Sequence, residues 1–262
     1  MKRTLKISND VVFFVHIPKC AGTSLGSFFS KRLRPVEGFF WHGHDGDVNN
    51  LANEFDLSQN SSDSDENSIR FIGGHYTLSA TRAIIQDAAL LNPLICSVIR
   101  NPIEQAESYY NWITSESVTK GAKHPLYDHS KDMTPLEFFH DQRILDEVAN
   151  IQCKYLLGVN CESTGSHDIK GLALDLLLQD RLYIADVSKS DSLITAVSDL
   201  VFGYQNEEQR TIQAPRENVS SIKKHKFDEN SKHLIKNVFW GDLLLYETLK
   251  KSQNNAVEHI FL

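Results

Sequence analysis

Residues 11–29 read VVFFVHIPKCAGTSLGSFF, and this stretch predicts a strand, a turn and a helix in succession. Residues 11–17 are nearly all apolar and rich in β-branched and aromatic side chains, which is typical of a strand buried on both faces. From residue 24 to residue 33 the apolar side chains recur at helical spacing. The chain therefore opens with a buried strand that leads through a short polar turn into a helix.

The same alternation continues along the chain. Further strands are predicted at residues 69–72, 94–99 and 181–186. Further helices are predicted at residues 80–90 (capped by Ser79), 102–113, 135–157 (as one or two helices), 171–178, 191–202 and 228–251. Strands that alternate with helices favour an α/β fold, in which a mainly parallel sheet is covered by helices on both faces. No internal repeat or linker interrupts the pattern, so we predict a single domain over residues 1–262.

The composition excludes several classes of protein. The 262 residues carry 27 basic and 34 acidic side chains, and the resulting net charge of -7 excludes a general binder of nucleic acid or anionic membranes. No window approaches the roughly 18 to 20 consecutive apolar residues that span a bilayer, and no signal peptide is recognisable. We therefore expect a cytoplasmic protein without integral membrane association. The four cysteines form no Cys-x-x-Cys pair, which favours reduced thiols.

The polar turn and the helix start after the first strand could form an anion-binding site. A helix N-terminus offers unpaired backbone N–H groups and the positive end of the helix dipole. Lys19 adds a full charge, Gly22 permits close approach of a ligand, and Thr23 and Ser24 add hydroxyl groups. A capped helix beside a surface lysine explains the same residues equally well.

This turn is not a Walker A loop. That motif places Lys directly before the Ser or Thr that holds magnesium, whereas Lys19 stands four residues before Thr23 and no Gly precedes it. A transferred sulfuryl group carries less charge than a phosphoryl group and needs less help from a metal. The loop therefore fits a sulfate ester better than a nucleoside triphosphate with magnesium, and we expect no metal.

A second polar segment follows the third predicted strand, where residues 97–110 read SVIRNPIEQAESYY. Arg100 leaves the strand end, and Ser108 lies two helical turns further on and can face the same side. A guanidinium with a nearby hydroxyl suits a phosphate group. The alternative is an ion pair between Arg100 and Glu104 or Glu107 across the helix start.

Three segments together resemble the carbohydrate sulfotransferases: HIPKCAGTS at residues 16–24, GGH at 73–75 and IRNPIEQAESYY at 99–110. The branch that they resemble most contains the heparan sulfate 2-O-sulfotransferases and their bacterial relatives. The resemblance covers roughly residues 11–160, including NIQCKYLLG at 150–158, and it is weaker beyond. One departure is Cys20, which stands where the family usually has Thr.

The resemblance implies a fold similar to that of P-loop NTPases and transfer of a sulfuryl group from 3′-phosphoadenosine-5′-phosphosulfate (PAPS) to a hydroxyl or amine of a carbohydrate-like acceptor. The product nucleotide would be 3′,5′-adenosine bisphosphate (PAP). The 5′-phosphosulfate would bind at Lys19, Cys20, Ala21, Gly22, Thr23, Ser24 and Leu25. The 3′-phosphate would bind at Arg100 and Ser108. His75 is the candidate general base and Lys19 the residue that stabilises the leaving phosphate.

Other segments carry weaker signals. Arg216, Lys223 and Lys224 lie in a basic stretch that forms either a flap over the nucleotide or a solvated face. Residues 56–68 are interpreted as an acidic surface loop and residues 114–134 as an acceptor-side loop. The loop with His42 and His44 lacks the spacing of a metal site and is interpreted as surface or an acceptor contact.

Two other functions remain compatible with the sequence. One is a small-molecule kinase of related fold, and the other is a non-catalytic protein that binds a nucleotide or a sulfated glycan. The missing Gly-Lys-Ser/Thr opposes the first. The presence of both Lys19 and His75 opposes the second, because binding alone requires no base.

Overall fold

The computed structural model describes residues 11–35, 70–87, 93–115, 124–202 and 225–255. Several predicted features lie outside these described residues: the acidic loop at 56–68, the loop with His42 and His44, most of the basic stretch with Arg216, Lys223 and Lys224, and residues 116–123 of the acceptor-side loop.

Five parallel strands form one sheet in the order β2-β3-β1-β4-β5. They are β1 (Val11–Val15), β2 (Arg34–Pro35), β3 (Arg70–Gly74), β4 (Leu94–Ile99) and β5 (Leu182–Asp186). The two-residue strand β2 was not predicted, and the other four were. The sheet and the helices on its two faces confirm the predicted α/β fold.

Eleven α-helices occur in the described residues. They are α1 (Gly22–Ser30), α2 (Leu78–Asp87), α3 (Pro102–Ile113), α4 (Tyr127–Ser130), α5 (Pro135–Phe138), α6 (Gln142–Val148), α7 (Ile151–Leu157), α8 (Ser166–Leu177), α9 (Ser190–Phe202), α10 (Glu229–Val238) and α11 (Trp240–Asn255). None of the helices in these ranges is long and apolar enough to cross a membrane.

The helices divide between the two faces of the sheet. Along β1, Val11, Phe13 and Val15 pack on one face, and Val12 and Phe14 pack on the other. The first core is completed by α2, α3, α5 to α8, α10 and α11, and the second by α1 and α9. Every residue of β1 is buried and apolar, which is typical of a parallel strand that helices cover on both faces of the sheet.

Three local helix predictions were wrong, and the first two concern the start of α2 and residues 135–157. Ser79 does not cap the helix over residues 78–87, because the hydroxyl of Thr77 accepts the N–H of Ala80 at 3.2 Å instead. Residues 135–157 form three short helices, not one or two. Asp141 caps the second helix with its side chain, and Asn150, with a left-handed φ of 50°, separates the second helix from the third.

The last helical stretch is also divided, at Phe239, where a single helix over residues 228–251 was predicted. The amide of Asn150 lies in the break: its Nδ2 donates to the carbonyl of Val238 at 3.0 Å, and its Oδ1 accepts the N–H of Asp242 at 3.1 Å. Those two backbone groups are four residues apart and would bond to each other in a continuous helix. Asn150 therefore replaces one helical hydrogen bond and separates α10 from α11.

The strand order places a switch point between β1 and β4. After β1 the chain runs outward to β2 and β3, and after β4 it runs in the opposite direction to β5. In such sheets ligands bind beyond the carboxyl ends of the strands at this point. The turn at residues 16–21 and the segment that begins at Arg100 both emerge there.

Candidate active site

The turn after β1 has an unusual backbone. Lys19 and Ala21 both have left-handed backbone angles, with φ values of 63° and 60°. For residues other than Gly this conformation costs about 1 to 2 kcal/mol, and such strain concentrates at functional sites. When residues with left-handed and right-handed backbone angles alternate, successive backbone N–H groups can point into the same concavity. Backbone anion-binding sites form in this way.

Of the backbone N–H groups at the start of α1, two donate hydrogen bonds within the turn and two do not. Those of Ser24 and Leu25 donate to the carbonyl of Ala21 at 3.2 and 3.5 Å. Those of Gly22 and Thr23 have no acceptor within the described part of the chain, and no side chain caps the helix. Within the predicted set from Gly22 to Leu25, Gly22 and Thr23 are therefore the better placed N–H donors to an anion.

Two side chains of the predicted loop face away from any ligand. Cys20 is 1% exposed and Leu25 is fully buried, so both pack in the interior. Burial also raises the pKa of the Cys20 thiol, which therefore stays protonated. The N–H of Cys20 donates to the carbonyl of Ile17 at 3.3 Å, which closes the turn. Cys20 and Leu25 thus shape the loop from the interior.

Lys19 is a cation without an anionic partner among the described residues. No carboxylate in those ranges forms an ion pair with its ammonium group, which lies 4.6 Å from the ring centre of Trp112. Burial, followed by the neighbouring Arg100 charge, lowers the pKa of Lys19 from 10.5 to about 8. An anionic ligand would relieve both effects, since it would supply the missing countercharge.

The lowered pKa gives a test by pH. We expect the affinity for PAP to be constant near pH 7 and to fall as the pH rises through about 8, because the ammonium form is lost there. In Lys19→Arg the guanidinium stays charged, so its affinity should hardly change from about pH 7 to 9.5. Calorimetry at several pH values measures both. A wild-type affinity that is flat up to pH 9.5 would contradict the role of Lys19.

Arg100 follows β4 and contacts the turn directly. Its Nη1 donates to the carbonyl of Lys19 at 3.3 Å, and its Nε donates to a carboxylate oxygen of Glu104 at 3.3 Å. The Glu104 side chain is 55% exposed, so this ion pair is weak and a dianion can displace it. Glu107 is not the partner of Arg100, because it accepts from Lys226 Nζ at 2.9 Å and from the N–H of Phe227 at 3.2 Å.

Ser108 lies on the helix face that borders these cations. Glu104, Ser108 and Trp112 are spaced four residues apart on α3 and so share one face. Arg100 contacts the first of them and Lys19 the last. Ser108 therefore lies between the two contacts, and its hydroxyl forms no hydrogen bond within the described ranges. Trp112 was not predicted, although its spacing of four from Ser108 is a signal that could have indicated it.

His75 follows β3 on the other side of β1. Its Nδ1 lies 2.9 Å from the carbonyl oxygen of His16, which can only accept, so Nδ1 carries the hydrogen in this bond. The neutral ring then has its lone pair on Nε2, as a general base requires. Burial, reinforced by the charges of His75 and Lys19, lowers the pKa of His16 to about 3, which makes His16 a poor base.

The rings of His16 and His75 stack at 4.4 Å, and the His16 ring also occupies the space beside Gly22. A Cβ atom on Gly22 would lie 1.8 Å from Cδ2 of His16. Gly22 is therefore required by close packing between the start of α1 and the histidine that holds His75.

We expect Gly22→Ala to destabilise the fold by about 1 to 3 kcal/mol, because the His16 ring is buried and cannot easily move. The control is Gly171→Ala on α8, where a Cβ meets nothing within 4 Å. That change should be neutral or stabilising by up to about 1 kcal/mol, since Ala favours helix over Gly. Urea unfolding measures both, and equal effects would contradict the packing argument.

Two further residues were missed by sequence reasoning, Gln105 and Gln152. Both are at most 1% exposed, and they hydrogen-bond to each other beneath the site. Glutamine at a fully buried helix position is uncommon, but this burial arises only when α3 packs against α7, so no local signal in the sequence indicates the two residues. No cluster of three or more His, Cys, Asp or Glu side chains suited to a metal occurs in the described ranges.

The ends of three adjacent strands thus bring the imidazole of His75, the ammonium group of Lys19 and the guanidinium of Arg100 to one edge of the sheet. No protein-family model and no curated protein matches the chain. Among solved structures, the chain is similar to mouse sulfotransferase SULT7A1 complexed with PAP, with a TM-score of 0.40 and 12% sequence identity. The match covers 77% of this chain and 62% of that one, so the chain spans less than two thirds of its length.

Proposed function

We propose that this protein is a sulfotransferase that moves the sulfuryl group of PAPS to a hydroxyl or amine of a carbohydrate-like acceptor. The observation that carries the proposal is the arrangement at the switch point. His75 follows β3, Lys19 follows β1 and Arg100 follows β4, and these three strands are neighbours in the sheet. The motif resemblance of residues 16–24, 73–75 and 99–110 supports the same function.

The donor would supply an activated sulfuryl group on its 5′-phosphate. The N–H groups of Gly22 and Thr23 and the ammonium group of Lys19 would bind that phosphosulfate, with the hydroxyls of Thr23 and Ser24 beside them. Arg100 and Ser108 would bind the 3′-phosphate. The two subsites lie next to each other, because Arg100 donates to the carbonyl of Lys19.

During transfer, the acceptor oxygen forms a bond to sulfur while the bond from sulfur to the 5′-phosphate oxygen breaks. Nε2 of His75 takes the proton from the acceptor hydroxyl. Lys19 stabilises the negative charge that develops on the departing phosphate. In this proposal the side chains of Lys19, Arg100 and His75 supply the charge and the base, and no role is assigned to a metal.

The carbohydrate-like acceptor is the finer part of the proposal. It rests on the resemblance to the 2-O-sulfotransferase branch, and in particular on His75 after two glycines.

The deciding experiment is calorimetry with PAP and, separately, with ATP and magnesium. We expect binding of PAP and little or no binding of ATP with magnesium, and Arg100→Ala should weaken the binding of PAP. Binding and turnover of ATP with magnesium would instead establish a kinase. Binding of PAP without consumption of PAPS in the presence of a panel of glycan acceptors would favour a non-catalytic binder.

A further inference from the structure

Two buried amide side chains connect the two anion subsites. Gln105 lies on α3 and Gln152 on α7, and Nε2 of Gln152 donates to Oε1 of Gln105 at 2.9 Å. The residues are 47 positions apart in the chain, and neither is more than 1% exposed. We refer to this pair as the amide bridge.

Each end of the amide bridge holds the backbone of one subsite. Nε2 of Gln105 donates to the carbonyl of Pro18 at 2.8 Å, directly before Lys19. Oε1 of Gln152 accepts the N–H of Arg100 at 3.0 Å, and Nε2 of Gln152 donates to the carbonyl of Arg100 at 2.9 Å. A continuous path of hydrogen bonds therefore runs from the loop of the 5′ subsite to the residue of the 3′ subsite.

The bridge is itself anchored from the opposite side. The buried carboxylate of Asp242 accepts the N–H of Gln152 at 3.1 Å and the N–H of Cys153 at 2.8 Å. Asp242 is in position because Asn150 breaks the helix just before it and binds its N–H. Each oxygen and each nitrogen of the two side-chain amides thus has at least one hydrogen-bond partner, and buried networks of this kind favour a single geometry.

We infer that the amide bridge is a positioning pair that sets the distance between the 5′ and 3′ subsites. The bridge would thereby make the protein prefer nucleotides that are phosphorylated at both positions. This inference rests on the proposed function. The two phosphates of such a nucleotide are held apart by one ribose, so only one separation of Lys19 and Arg100 serves both. A displacement of about 1 Å is enough to lose most of the benefit. The bridge fixes the backbone of Arg100 and of Pro18, and the side chains on that backbone bind the phosphates.

The test compares PAP with 5′-AMP, which lacks the 3′-phosphate, by calorimetry. The affinity for PAP divided by the affinity for 5′-AMP measures how much the 3′-phosphate strengthens binding. In the wild type we expect a ratio on the order of 10 to 100, as charge-assisted hydrogen bonds give. Gln152→Leu should lower that ratio by about tenfold and change the affinity for 5′-AMP by less than about threefold. In an Arg100→Ala background, Gln152→Leu should lower the ratio no further.

The packing control is Leu156→Ala on the same helix, a buried apolar residue. It should lower the melting temperature and leave the affinity ratio unchanged. Gln152→Met is a second variant, which keeps nearly the length of Gln and removes all three hydrogen bonds of its side chain. It should lower the ratio by about as much as Gln152→Leu, and it decides the question if Gln152→Leu does not fold.

Equal weakening of PAP and 5′-AMP in both Gln152 variants would overturn the inference, since a purely structural role predicts that result. A wild-type protein that binds PAP no better than 5′-AMP would instead contradict the proposed function. The two failures are therefore distinguishable from one set of titrations.

Discussion

His75→Ala is expected to lower turnover by about 10²- to 10⁴-fold and to leave the affinity for PAP within about twofold of the wild type. The side chain is held by the carbonyl of His16 through Nδ1, so Nε2 is the nitrogen that can take a proton from the acceptor. The change removes that nitrogen without touching Lys19 or Arg100. Steady-state rates and calorimetry with PAP measure the two effects separately.

The control for this prediction is His75→Asn. The Asn amide can donate to the same carbonyl of His16, but it offers no basic nitrogen. We therefore expect His75→Asn to lose as much turnover as His75→Ala. Retained turnover in the Asn variant, or loss of PAP binding in the Ala variant, would show that His75 orders the site and does not act as its base.

Lys19→Ala is expected to lower turnover by about 10²- to 10³-fold, which is the usual cost of removing one preorganised group that stabilises developing charge. The ammonium group is largely buried and has no countercharge among the described residues, so its field acts on the ligand with little screening. The affinity for PAP should also fall, because the product carries the departing phosphate. Turnover with PAPS and binding of PAP are the measurements.

Lys31→Ala is the matched control, because Lys31 is an exposed lysine just beyond the other end of α1. It changes the net charge by the same amount, and turnover should stay within about twofold. If Lys19→Ala weakened PAP binding without lowering turnover, Lys19 would bind the ground state and would not stabilise the departing charge.

The sequence was informative where the signal is local. β4 and α3 begin and end at the predicted residues, since an apolar run stops at Arg100 and Pro102 begins a helix that Asn101 caps. The turn around Lys19 was recognised from its residue types and order. The boundaries of β4 and α3 do not depend on contacts with distant residues, so the sequence pattern was sufficient to predict them.

The features that escaped prediction depend on contacts between distant residues. The break between α10 and α11 is made by Asn150, which is 88 residues from Val238 in the chain. Gln105 and Gln152 look like ordinary helix residues in the sequence, and their hydrogen bonds form only because α3 packs against α7. The cap at Thr77 was missed for another reason, because Thr77 and Ser79 are both capping residues and differ only in position.

His16 couples the two halves of the candidate site through a single residue. Its ring packs on Gly22 at the start of α1, and its carbonyl holds the imidazole of His75. A substitution of His16 is therefore expected to disturb both the start of α1 and the orientation of the His75 ring. A designer who wished to transplant this turn to another α/β scaffold would have to move residues 16–25 together with His75, and would also have to supply donors for the carbonyls of Pro18 and Lys19.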